Sequence, residues 1–91
     1  MQNNQANKLV AEISLYPLAE KYIAPIKTFI DRLNRYPELE VDTSMTSTRV
    51  SGDYLPVMEI LAKEMQRSHQ EIGQAIFVCK FLNGDALGSG E

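Results

Sequence analysis

Glu12, Ser14 and Tyr16 occupy alternate positions of the segment Leu9-Val10-Ala11-Glu12-Ile13-Ser14-Leu15-Tyr16-Pro17. A carboxylate, a hydroxyl and a phenol that recur every second residue share one face of a strand. Leu9, Ala11, Ile13 and Leu15 share the other. Such a face can hold a small polar molecule. The carboxylate accepts from an amino group, the hydroxyl donates or accepts, and the ring stacks on a flat heterocycle. Ser47 and Lys80, from two later segments, can join it. On strands adjacent to the first, Lys80 would set the charge beside Glu12. The same residues also fit a plainer reading. Glu12 and Lys80 can be an ion pair that offsets two half-buried charges, Tyr16 can pack at an interface, and the serines can be solvated. Spacing alone favours the plainer reading.

Catalytic chemistry has less to stand on. No nucleophile stands in a pattern that supplies an orienting base. His69 is the single histidine and falls on a helical stripe with Met65 and Ile72. Cys79 is the single cysteine, between Phe77 and Phe81 in a strand, where a free thiol behaves as a small apolar group. Tyr16-Pro17-Leu18-Ala19 offers no phosphate-binding loop after the first strand. No Cys/His set has metal-ligand spacing, and Met58 and Met65 belong to a core stripe. The expectation is a protein with no enzymatic activity, no metal and no cofactor.

These side chains must be positioned by short elements. The first strand covers residues 8–16 and stops at Pro17, which has no ladder donor. Pro25 suits the first turn of a helix, in which Ile26, Phe29, Ile30 and Leu33 recur at helical spacing. Lys27, Asp31, Arg32 and Arg35 lie largely off that stripe, and the helix should stop before Pro37. Residues 39–44 alternate as a second strand. After a turn near Ser44-Met45, residues 46–51 form a third, with Thr46, Thr48 and Val50 opposing Ser47, Arg49 and Ser51. Asp53 is a candidate N-cap, and Pro56 fits the first turn that follows. Val57, Met58, Leu61, Met65, His69 and Ile72 make one stripe, ended by Gly73. Residues 75–82 form the fourth strand, apolar on both sides.

The order βαββαβ is the split βαβ arrangement: an α+β fold with a four-stranded antiparallel sheet. Right-handed crossovers place both helices on one face, with strands one and three central and strands two and four at the edges. The other face then carries Val10, Glu12, Ser14, Tyr16, Glu40, Asp42, Ser47, Arg49, Ile76, Val78 and Lys80. Two helices cannot cover both faces of a sheet. The second face must meet water, a ligand or another subunit, and the apolar Ile76, Val78 and Leu82 disfavour water alone.

The chain has 91 residues, enough for one domain and a modest core that association would help to stabilise. Residues 1–7 read as a disordered leader, 8–83 as the domain and 84–91 as a flexible tail. A formal net charge of −3, from 12 acidic and 9 basic residues, lacks the basic footprint of a nucleic-acid binder. The third strand also lacks the aromatic residue on which an RNA base would stack. No apolar run reaches membrane length, and the polar start has no signal-peptide character. A cytoplasmic location is expected.

The residues Ala11-Glu12-Ile13-Ser14-Leu15-Tyr16-Pro17-Leu18, the Pro-Ile-Lys start at 25–27, Ser47-Thr48-Arg49-Val50-Ser51-Gly52 and Phe77-Val78-Cys79-Lys80-Phe81 together resemble the YkoF-type thiamine-binding-like family, from about residue 8 to residue 85. The resemblance implies a ferredoxin-like fold, with sheets joined edge to edge into homodimers that pair again into homotetramers. It implies non-catalytic binding of thiamine or its hydroxymethylpyrimidine part. It carries over to Glu12, Ser14 and Tyr16 in the first strand and to Ser47 and Thr48 in the third. Thr46 stands where relatives often have methionine. Lys80 completes the expected ligand site, held on the open sheet face at a subunit interface. The competing expectation is a structural or regulatory oligomer of the same fold with no bound small molecule.

Overall fold

A computed structural model describes residues 7–18 and 20–84. Apart from Asn7 and Gly84, the leader expected over 1–7 and the tail expected over 84–91 lie outside the described residues. The elements follow one another as β1 (Lys8–Pro17), α1 (Ile23–Leu33), β2 (Glu40–Thr43), β3 (Thr48–Asp53), α2 (Tyr54–Ile72) and β4 (Ala75–Asn83). The strands form one antiparallel sheet in the order β2-β3-β1-β4. This is the expected ferredoxin-like α+β fold, with β1 and β3 central. Among the described residues no helix is long and apolar enough to cross a membrane.

Alternation in β1 builds the core. Leu9, Ala11, Ile13 and Leu15 are buried against Phe29 and Leu33 of α1 and Val57, Ile60 and Leu61 of α2. Burial of each large aliphatic group contributes roughly 1.5–3 kcal/mol. Phe77 of β4 closes one side, its ring centre 5.2 Å from that of Phe29. α1 begins at Tyr22 without a side-chain cap, carries Pro25 in its first turn, and ends at Asn34. The side chain of Asn34 donates to the Ile30 carbonyl at 3.1 Å. α2 ends on Gly73 at φ 90°, a conformation that costs glycine least.

Four local expectations need correction. The third strand starts at Thr48 rather than Thr46 and runs to Asp53. The Ser44 N–H donates to the Ser47 carbonyl at 2.9 Å, and the Ser47 N–H donates to the Ser44 hydroxyl at 3.3 Å, so the turn consumes the backbone of both. Leu39 is buried but precedes β2; its N–H donates to the Tyr36 carbonyl. Asp53 does stand at the N-cap of α2, yet its carboxylate makes no cap bond and instead meets the Lys8 ammonium at 2.7 Å.

The stripe of α2 is the fourth. It is turned from the expected one: Val57, Ile60, Leu61, Glu64 and Ser68 are buried, while Met58 is exposed and Met65 and Ile72 pack at the margin. Arg32 of α1 meets this turned face. Expected off the apolar stripe, it is only 7% exposed. Its guanidinium donates to Glu64 at 2.8 Å, Ser68 at 2.9 Å and Glu71 at 2.8 Å. Tyr36 donates to the other oxygen of Glu64. The two helices therefore meet partly through a buried polar network, in which each charge has a partner.

Candidate functional site

The sheet register fixes which side chains of the uncovered face stand abreast. Glu12 of β1 is directly opposite Arg49 of β3 and Lys80 of β4. Arg49 is in turn opposite Asp42 of β2. One row across the four strands therefore reads Asp42, Arg49, Glu12, Lys80, with charge alternating at every step. Cross-strand neighbours of opposite sign stabilise such a row. Arg49 lies 3.0 Å from the Asp42 carboxylate and Lys80 lies 4.0 Å from that of Glu12. The second oxygen of Glu12 accepts a 3.1 Å hydrogen bond from the Ser47 hydroxyl.

The Glu12 carboxylate is half-buried, at 36% exposure, whereas the Lys80 ammonium is open to solvent. A carboxylate so placed still has lone pairs for a donor arriving from outside the sheet. Further along the face, Ser14 donates to the Thr46 carbonyl at 3.1 Å. That bond pins the β2–β3 turn against β1. Tyr16 is half-exposed beside Ile76, and Val78 is half-exposed beside Ser14. Aromatic, hydroxyl and aliphatic surface therefore adjoin the charged row.

Of the six residues expected in the site, Glu12, Ser47 and Lys80 converge on one point. Ser14 and Tyr16 share their face. Thr48 does not. It pairs with the core residue Ile13 and is 4% exposed, because alternation along β3 turns it away from Ser47. It lines a different feature, a cavity of about 90 Å³ between α1, the end of β1 and the β2–β3 turn, whose wall also includes Phe29, Ile30, Ser14 and Ser47. A broader, shallow depression of about 510 Å³ lies on the open face over Val10, Glu40, Val41, Asp42, Arg49 and Ser51.

Alternation with Ser47 and Ser51 puts Arg49 on the open face, outside the six residues expected in the site. The antiparallel pairing of β1 with β3 sets it abreast of Glu12, a relation that strand order and register together would have given. The polar network around Arg32 carried no signal in the helical periodicity, which marks apolar positions.

Two residues weighed for chemistry have structural partners. The Cys79 side chain packs against the core, and burial pushes its thiol above the ordinary value. A thiol held protonated is a poor nucleophile. His69 sets its Nε2 2.9 Å from the Ala75 carbonyl, a contact in which that nitrogen donates, and its ring meets the edge of Phe77. It ties the end of α2 to the start of β4.

No protein-family model matches the chain, and no curated protein matches it in sequence. Solved structures do share its fold. A provisionally assigned thiamine biosynthesis/salvage protein of Thermotoga maritima superposes with a TM-score of 0.80 at 14% identity, over 88% of this chain and 90% of that one. A protein of Streptococcus pneumoniae gives 0.79 at 23% identity, over 89% and 91%. A hypothetical protein of Methanocaldococcus jannascii gives 0.74 at 22% identity, over 85% and 80%. These similarities extend across nearly the whole chain, and they agree in fold with the resemblance noted from the sequence.

Proposed function

We propose that this chain is a non-catalytic binding protein for thiamine or a hydroxymethylpyrimidine-like precursor, held on the open sheet face where a second subunit closes over it. The observation that carries the proposal is the setting of Glu12. Its carboxylate is half-buried, receives the Ser47 hydroxyl, and stands between two cations, Arg49 and Lys80. An aminopyrimidine presents an amino donor beside ring acceptors. Glu12 would accept from the amino group, Ser47, whose one proton goes to Glu12, would hold that carboxylate in place, and Tyr16 would stack on the flat face. The shared fold with the Thermotoga maritima protein, whose description concerns thiamine, supports the choice of ligand class.

In this reading the protein binds its own kind as a homodimer or homotetramer and acts in the cytoplasm, with no metal or cofactor in its work. Isothermal calorimetry with thiamine and with the free pyrimidine tests it. Measurable heat with either is expected, and Glu12→Gln should weaken binding about tenfold or more, since a hydrogen bond to a charged acceptor contributes about 1.5–3 kcal/mol. Neither heat nor a thermal shift at millimolar ligand would leave the second reading, a regulatory oligomer without a small molecule. The half-exposed Ile76 and Val78 on the same face favour that alternative.

A further inference from the structure

We propose a specific docking of the second copy: its sheet lies face to face on this one about a two-fold axis that runs parallel to the strands, midway between β1 and β4. The inference rests on the reading above that a sister chain covers the open face, and it names the contacts. Two observations and one general rule lead to it. Tyr16, Ile76 and Val78 are about half exposed on a face that neither helix covers. Sheets with apolar patches of this kind pack face to face about 10 Å apart. Glu12 and Lys80, which stand side by side, are opposite in charge.

A two-fold axis along the strands keeps each residue at its own level and exchanges β1 with β4. Glu12 then faces Lys80 of the partner subunit, Ser14 faces the partner's Val78, and Tyr16 covers the partner's Ile76. Each charge meets its opposite, and the aromatic ring meets an aliphatic side chain. An axis across the strands, centred on the charged row, would set Glu12 on the partner's Glu12 and Lys80 on the partner's Lys80. Like charges brought face to face disfavour that mode. The charge pattern therefore sets the axis along the strands. The half-exposed Tyr16, Ile76 and Val78 on β1 and β4 place it between those strands. An axis between β1 and β3 would set Glu12 on the partner's Arg49 but leave Ile76 and Val78 uncovered.

The docking also shapes the ligand site. With the axis between β1 and β4, β3 falls just outside the partner's edge strand. Ser47 and Arg49 remain reachable beside Glu12, and the partner's Lys80 joins them at the same site.

Charge-swap mixing tests the docking, read by light scattering without ligand. Wild type should dimerise at micromolar concentration. Glu12→Lys alone and Lys80→Glu alone should each weaken dimerisation about tenfold or more, because both chains of such a dimer present the same sign at the contact. An equimolar mixture of the two variants should restore dimers, although neither chain has an intact Glu12–Lys80 pair of its own. Monomeric wild type, variants that dimerise as well as wild type, or a mixture that stays monomeric would overturn the proposal.

Spin labels give a second measurement that needs no charge change. In a Cys79→Ala background, nitroxides at Gln74→Cys should lie within roughly 20 Å of each other in the dimer, and a separation of roughly 40 Å, as an axis across the strands centred on the charged row gives, would overturn it. Because neither readout uses a ligand, failure of the docking is distinguishable from failure of thiamine binding, which calorimetry reports.

Discussion

Arg32 and Glu64, one on each helix, hold each other at 2.8 Å with side chains only 8% and 2% exposed. The remaining polar atoms of the pair are met by Ser68, Glu71 and Tyr36. Desolvation of two such charges is costly, and their mutual attraction offsets it only when the geometry is complete. The network ties α1 to one face of α2 through these bonds.

Removal of one partner should therefore be worse than removal of both. Arg32→Met strands the Glu64 carboxylate and should lower stability by about 3–5 kcal/mol. Arg32→Met with Glu64→Leu should lower it less than either change alone. Urea denaturation of the set gives the coupling. Equal losses in the single and double variants would show that the buried charge is not what fails.

Alkaline pH should weaken the fold. The Tyr36 phenol is raised above its ordinary value of 10.0, first by its hydrogen bond to Glu64, then by burial and by the Glu64 charge. The Cys79 thiol is raised above 9.0 by burial. Both groups keep their proton in the folded chain at pH values where the unfolded chain has released it. The unfolded state then binds fewer protons, so stability falls as pH rises. The contribution is complete below the unfolded values and is lost as pH passes from those values through the folded ones. The urea midpoint should decline from about pH 9 upward, and Tyr36→Phe with Cys79→Ala should flatten the decline.

Gly52 is a packing requirement. A Cβ at this position would stand 2.6 Å from the Glu38 carbonyl and 3.2 Å from a Val57 methyl. The first neighbour is backbone and cannot swing aside, so the α1–β2 connection would have to move. Gly52→Ala should cost about 1–3 kcal/mol, the range for overpacking. A thermal melt checks this, and an unchanged midpoint would show that the connection yields freely.

Much of this architecture is legible in the chain because it rests on period. Leu9, Ala11, Ile13 and Leu15 against Glu12, Ser14 and Tyr16 declare a strand with two unlike faces. The apolar residues on both sides of 75–82 point to cover on both faces, yet Ile76 and Val78 are half-exposed on the one that neither helix reaches. What stayed hidden depends on partners distant in sequence. Arg32 reads as a solvated residue until Glu64, Ser68 and Glu71 are brought to it. Thr46 and Ser47 have strand-like composition, yet hydrogen bonding between Ser44 and Ser47 makes them a turn. Thr48 entered the site through a motif that names neighbours in sequence, while the pleat sends neighbours to opposite faces.

That last relation yields a prediction that separates chemistry from resemblance. Ser47 donates to Glu12 at 3.1 Å, and Thr48 is buried beneath the sheet opposite Ile13. If the ligand lies on the open face, Ser47→Ala should weaken its binding while it leaves the melting temperature nearly unchanged, because the hydroxyl is partly solvated. Thr48→Val should do the reverse, altering stability with little effect on affinity, since its side chain has no access to that face. Calorimetry and thermal melts on the two variants give a two-by-two result. Loss of binding in Thr48→Val would move the ligand across the sheet, into the cavity between α1 and the β2–β3 turn, whose wall Thr48 and Ser47 share.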